Sequence, residues 1–320
     1  MFITYICGVI RVMVLFLFGS TGEVVTEKSG HLNMGTPGIM CMGATGAVVG
    51  ASIYLSGAGG IDNTNVFLGI FVPLLFCFIF SGLTGLLYCF LVDTLQCNQN
   101  VTGLTLTTLG AGLYPFISTL VPDDGFSQLS AKYYVRVFSK EFCDSNWFTQ
   151  IFLSHSFLVY LSIIIAILAW FVIKKTKVGL SLRAVGESPS TADSSGVNVN
   201  RYRYVATLIG SMISGLGGLY YFMVMNNGAL EFNIESFGWL AVALVIFSLW
   251  NPLITIGGSF IFALFYQLPV FIGKTGPVGK IVGLIPFFIT IVVLIIVSLF
   301  NKKETQPPEG LGVNYFREDR

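Results

Sequence analysis

The sequence predicts an all-α polytopic membrane protein, an integral helix bundle of about nine transmembrane helices. Three observations carry that prediction. Of the 320 residues, 54% are hydrophobic and only 10% are charged, where a soluble domain carries about 25% charged residues. The charges are clustered, so that 29–61, 63–92, 94–122, 145–173, 204–230, 236–273 and 281–301 contain no Asp, Glu, Lys or Arg. Each interval reaches the roughly 20 residues that cross the hydrocarbon core. The whole of 1–320 reads as a single membrane-spanning domain, and its formal net charge of +1 sets aside nucleic acid as a partner.

The first span, near 3–23, is followed by no small-residue cleavage site and by many further spans, so it reads as an anchor and not as a removable leader. Arg11 is the only charge inside a predicted span; it snorkels to the interface or faces a polar translocation path. Spans follow near 36–57, 66–91, 102–121, 150–173 and 203–225. The seventh and eighth, 237–250 and 252–271, share one interval broken at Trp250-Asn251-Pro252, where proline removes a backbone donor. They form a full hairpin, the preferred reading, or a re-entrant pair. A ninth span covers 281–300.

Basic residues set the orientation. The loop 174–203 carries Lys174, Lys175, Lys177, Arg183, Arg201 and Arg203 against Glu187 and Asp193, while 122–149 carries Lys132, Arg136 and Lys140 against Asp123, Asp124, Glu141 and Asp144. The first loop is therefore expected in the cytoplasm and the second outside. Alternation then places the turn at Trp250 and the tail 301–320 in the cytoplasm, and the N-terminus outside the cell.

Glycines within spans, Gly43, Gly46 and Gly50 in the second and Gly210, Gly215, Gly217 and Gly218 in the sixth, are expected to let helix backbones approach closely. Cys7, Cys41, Cys77, Cys89, Cys97 and Cys143 form no CxxC pair and read as small apolar residues. Within the cytoplasmic loop, Lys177 to Glu187 reads as a short helix with Leu180, Ala184 and Glu187 at i, i+4 and i+7. Ser188 and Pro189 then read as the cap and first position of a second helix, and Gly196 as its stop. Paired short helices suggest a shaped docking surface for a cytoplasmic partner.

The acids all fall outside the expected helix centres, with Glu23 and Asp93 nearest the membrane. A carrier driven by its own ion gradient usually keeps a carboxylate or histidine within its spans, so this distribution disfavours a stand-alone secondary carrier. His31 and His155 are the only histidines and neither has a carboxylate pair nearby in sequence; no enzyme, cofactor or metal site is expected. The run Ile272-Gly273-Lys274-Thr275-Gly276 ends like a phosphate-binding loop, but position 268 is Leu where that motif needs glycine. Any ATP is then hydrolysed by another polypeptide.

Several stretches resemble one family. Gly22-Glu23 through Glu27-Lys28-Ser29-Gly30, then Asn33-Met34-Gly35, Gly38, Met40, Met42, Gly43 and Ala44, are similar to the signature of ATP-binding-cassette importer permeases for nucleosides, simple sugars and branched-chain amino acids. Asn98-Gln99-Asn100-Val101-Thr102-Gly103-Leu104 resembles the stretch that opens the family's next helix. Gly179-Leu180-Ser181-Leu182-Arg183-Ala184-Val185-Gly186-Glu187-Ser188-Pro189, through Ala192, Gly196 and Arg203-Tyr204 to Ser214-Gly215-Leu216-Gly217-Gly218, is the strongest match and looks closest to the nucleoside branch.

The resemblance implies a permease subunit of the cell membrane that moves a small polar solute, foremost a nucleoside, by alternating access. A simple sugar or a branched-chain amino acid is the alternative. It implies cytoplasmic ATPase subunits, a second permease subunit in a homo- or heterodimer, and an extracytoplasmic substrate-binding protein. Arg183, Ala184, Gly186 and Glu187 would couple to the ATPase, with Ala184 and Gly186 keeping that surface narrow. The chain departs from the family at Pro37, which stands where an acid is usual. A helix entry broken there exposes backbone groups near the bundle interior, so Asn33, Gly35 and Gly38, with Arg11, are the expected substrate-path residues.

Overall fold

The computed structural model describes residues 2–122, 125–135, 137–138, 146–272 and 306–316, with scattered positions between 281 and 295. All regular structure among the described residues is helical: α1 (Phe2–Glu27), α2 (Thr36–Ala58), α3 (Val66–Cys89), α4 (Gln99–Leu120), α5 (Phe126–Tyr133), α6 (Trp147–Phe152), α7 (Phe157–Lys175), α8 (Lys177–Glu187), α9 (Pro189–Ser194), α10 (Val199–Tyr220), α11 (Ile234–Phe247) and α12 (Pro252–Ile272). Short π turns, Phe90–Thr94 and Tyr221–Met225, extend α3 and α10.

Local chemistry accounts for most boundaries. Asn65, Asn98, Ser156, Thr176 and Asn198 each cap a helix by accepting a backbone N–H of its first turn. Pro37 sits in the first turn of α2, where its missing N–H costs nothing. The break at Trp250 to Pro252 separates α11 from α12, with Leu249 and Trp250 in the left-handed region. α8 and α9 fall where the sequence predicts them, and Gly196 follows with φ +84°.

Two expectations change, and a third is met only in part. The first helix runs on to Glu27 and does not stop near 23, because its last acids find partners inside the bundle. The fifth span starts at Phe157 and not near 150, since the chain turns between α6 and Ser156. Nine spans are not reached among the described residues: six helices are long and apolar enough to cross a membrane. Of the other expected spans, α4 carries many Thr and Gly, α11 has only 14 residues, and 281–300 lies largely outside the described residues. Gly273 to Gly276 and Cys143 also lie outside them.

α2 is the central helix, packed against α3, α10 and α4, while α1 packs against α10, α12 and α11. Glycine makes these contacts possible, because lipid offers no hydrophobic drive for helix association and close approach must supply it. A Cβ on Gly43 would lie 2.3 Å from the Gly215 carbonyl oxygen of α10, and one on Gly38 would lie 2.3 Å from that of Leu106 on α4.

One end of the bundle gathers turn 28–35, the π turn after α3, the start of α4, α8, α9, the start of α10, turn 248–251 and segment 306–316. The far end gathers residues 59–65, α5 and the chain around Gly228.

Candidate functional site

The signature stretch and the loop helices, separated by some 150 positions in sequence, meet at that first end. Turn 28–35 joins α1 to α2 without helix, yet most of it is buried, and its backbone polar groups are met by protein. Leu32 N–H donates to Gln99 Oε1 at 2.8 Å, Tyr88 O–H donates to the Leu32 carbonyl at 2.9 Å, and Thr107 O–H donates to the Met34 carbonyl at 2.9 Å.

Two acids enter the interior from α1. Glu23 and Glu27 are 1% and 3% exposed. The Thr36 hydroxyl donates to Glu23, and the Trp250 indole donates to Glu27. Thr36 opens α2, so Glu23 stands at the start of that helix. Pro37 follows Thr36 in this first turn, and Glu23 brings a carboxyl group beside the helix start from α1.

A second buried cluster lies behind the turn. His31 Nε2 is 2.9 Å from Asp93 Oδ1 and Nδ1 is 2.8 Å from the Thr207 hydroxyl. Burial pushes the His31 pKa down, and the hydrogen bond and charge of Asp93 offset this only in part. The neutral imidazole therefore carries its proton on Nε2, donates to Asp93, and accepts from Thr207. Arg203, 1% exposed, places Nη1 3.5 Å from the same Asp93 oxygen and donates from Nη2 to the Val313 carbonyl at 3.2 Å. The carboxylate beside His31 is distant in sequence and comes from the π turn after α3. His31, Cys89 and Asp93 hold possible ligand atoms within 4.8 Å of one another. Both His31 nitrogens are already engaged and the Arg203 guanidinium supplies the positive charge, so this donor set fits an ion pair better than a metal.

The expected coupling residues divide. On α8, Gly179, Leu182, Val185 and Gly186 face inward, while Leu180, Ala184 and Glu187 form an outward stripe, with Leu180 61% exposed. Gly186 seats α8 on the turn, since a Cβ there would lie 2.5 Å from the Lys28 carbonyl oxygen. Arg183 and Glu187 line a crevice of about 410 Å³ with Lys28, Trp250, Asn251 and Gln306. Burial lowers the Lys28 pKa, and the acids Glu187 and Glu27 offset part of that effect.

The expected substrate-path residues divide as well. Asn33, Gly35 and Gly38 share the buried turn and helix start, where Asn33 Oδ1 accepts Gly35 N–H at 3.0 Å and Gly35 approaches Gly103 of α4. Arg11 is exposed on the first half of α1, 12 residues before Glu23, or roughly 18 Å along the helix. The structure does not bring it to the others. Sequence reading gave no site role to Glu27, Trp250, His31, Asp93 or Arg203; the Lys/Arg count treats Arg203 as one more loop charge, although it falls within the stretch of strongest resemblance.

A family model described as the permease component of the branched-chain amino acid transport system matches residues 5–297. The nucleoside ABC transporter permease NupC of Lactococcus lactis subsp. cremoris is 31% identical over 309 residues, covering 94% of this chain and 93% of its own length. The guanosine ABC transporter permease NupQ of Bacillus subtilis is 26% identical, covering 93% and 92%. The putative glucose ABC transporter permease TsgC13 of Haloferax volcanii is 29% identical, covering 80% and 73%. No solved structure matches the chain.

Proposed function

The chain belongs to this family of ATP-binding-cassette transporter permeases, multi-pass membrane subunits that are not enzymes, and from that premise we propose that it imports a nucleoside. The observation that carries the substrate is the end-to-end similarity to two relatives named for nucleoside and guanosine transport. A sugar is the second reading, favoured by the relative named for glucose.

In this reading the end of the bundle that holds α8 and α9 faces the cytoplasm, as the excess of basic residues in 174–203 supports. The N-terminus lies outside, and the chain crosses the membrane about nine times. ATPase subunits dock on the Leu180, Ala184 and Glu187 stripe, with Arg183 offering a rigid fork of donors at its flank. Their motion reaches turn 28–35 through Gly186, which touches it, and from there the start of α2. Asn33, Gly35 and Gly38 then border the substrate path when α2 and α4 part. A second permease subunit completes the pore, and an extracytoplasmic binding protein delivers the solute at the far end.

Uptake of labelled uridine, guanosine, glucose and leucine by a strain lacking the gene tests the substrate. Loss of nucleoside uptake, restored by the gene, is expected. Loss confined to glucose or to leucine would replace the nucleoside reading.

A further inference from the structure

Residues 306–316 have no helix of their own, yet they cross the end of the bundle and bond to five separate elements. Gly310 N–H donates to the Gly186 carbonyl at 2.9 Å and Gly312 N–H to the Gly30 carbonyl at 3.0 Å. Two residues of one strand of chain thereby join the end of α8 to the turn after α1. The Val313 carbonyl accepts from Arg203, and Asn314 accepts from Gln99 Nε2 at 3.0 Å while donating to the Gln96 and Cys97 carbonyls at 3.2 and 3.1 Å. The Tyr315 hydroxyl donates to Asp193 Oδ2, beside the end of α9, at 2.8 Å.

Apolar contacts follow the same path. Leu311 packs on the cluster that holds Val24, Leu182 and Trp250, and Tyr315 packs on Val185, Ala192 and Val199. Apart from this segment and the contact of Gly186 with the turn, α8 and α9 pack mainly on each other and on the adjoining ends of α7 and α10. Those contacts hold the pair to the bundle edge. Among the described residues, the segment ties the pair at once to the turn, to the buried Arg203, and to the start of α4.

We infer that residues 306–316 are a strap that positions α8 and α9 against turn 28–35 and the start of α4, so that displacement of α8 moves the helix starts of the substrate path as one body. Asn314 and Tyr315 are its positioning residues. A device of this kind transmits motion because its members share packed, bonded contacts with few alternative arrangements. The transport half of the inference rests on α8 being the ATPase dock; the packing half does not.

The full chain, assembled with its ATPase and second permease subunits, is compared with Asn314→Ala, with Tyr315→Phe, and with a chain lacking residues 306–316. Hydrogen exchange should quicken roughly tenfold in turn 28–35 and in α8 and α9 of the deletion, less in the point variants, and stay unchanged in the middle of α2 and α10. In proteoliposomes, uridine uptake per ATP hydrolysed should fall roughly tenfold in the deletion, the size of an ordinary coupling between two sites, while the ATPase still co-purifies. Unchanged exchange in the turn and in α8 and α9 would overturn the strap, as would uptake per ATP equal to that of the full chain. Loss of ATPase co-purification would overturn it too, since the segment would then be part of the dock. If the full chain takes up no uridine, the nucleoside reading fails and hydrogen exchange alone judges the strap.

Discussion

Replacing Arg203 by Met tests whether the buried charge cluster holds the bundle end together. Methionine keeps most of the length and apolar stem of the side chain but removes the guanidinium. Asp93, whose side chain is 4% exposed and which stands 3.5 Å from Arg203, would then face only the neutral His31, and the Val313 carbonyl would lose its donor. Removing one member of a buried pair costs about 3–5 kcal/mol, because the remaining charge stays desolvated. A change of 1 kcal/mol shifts the midpoint by about 2 °C in a chain of this length, so Arg203→Met should lower Tm by roughly 5–10 °C. Cys41, Cys77 and Cys89 are free and buried, so a thiol-reactive dye reports unfolding in detergent directly. The reasoning requires a partner result. Adding Asp93→Asn removes the stranded charge and keeps an acceptor for His31 Nε2–H, so the double variant should regain at least half of the lost Tm. A single variant that melts within about 2 °C of the native chain, or a double variant no better than the single, would refute the argument.

Gly43→Val should cost about 1–3 kcal/mol or more, seen as a lowered Tm, because its Cβ would meet backbone atoms of Gly215; Gly57→Ala, with nothing within 4 Å, should not lower it. Because burial lowers the His31 pKa, the folded state binds fewer protons than the unfolded one as pH falls below about 6.5. The stability held above that value is then lost toward acid pH, and thermal melts between about pH 5 and pH 8 should show His31→Gln flattening the loss. A cysteine at the exposed Ser56 should react with an impermeant maleimide in intact cells and one at Ser190 only after lysis; the reverse pattern would invert the proposed orientation. Leu180→Glu changes only an outward residue of α8, so it should leave stability within about 0.5 kcal/mol of native and still abolish co-purification of the ATPase.

Where backbone chemistry is local, the sequence was enough. The charge-free intervals announce apolar helices, Pro37 and Pro189 mark helix starts, Gly196 marks a stop, and Trp250 to Pro252 marks a break, because a missing N–H or a left-handed φ acts within a turn of its own position. The glycines announced close packing but not their partners, since Gly43 and Gly215 lie on helices far apart in the chain. Hydropathy also explains why Glu23 and Glu27 read as boundary charges. It scores each residue against water or lipid and has no means of recording Thr36 and Trp250, which make burial of the two carboxylates tolerable. The same holds for His31, Asp93 and Arg203, drawn from three elements, and for Gly186, whose neighbour is Lys28. Length, span and local turns follow from each residue's own covalent and solvation preferences. Which polar groups meet inside the bundle was settled only by the tertiary structure, because desolvation is offset by partners that the fold alone brings within hydrogen-bond reach.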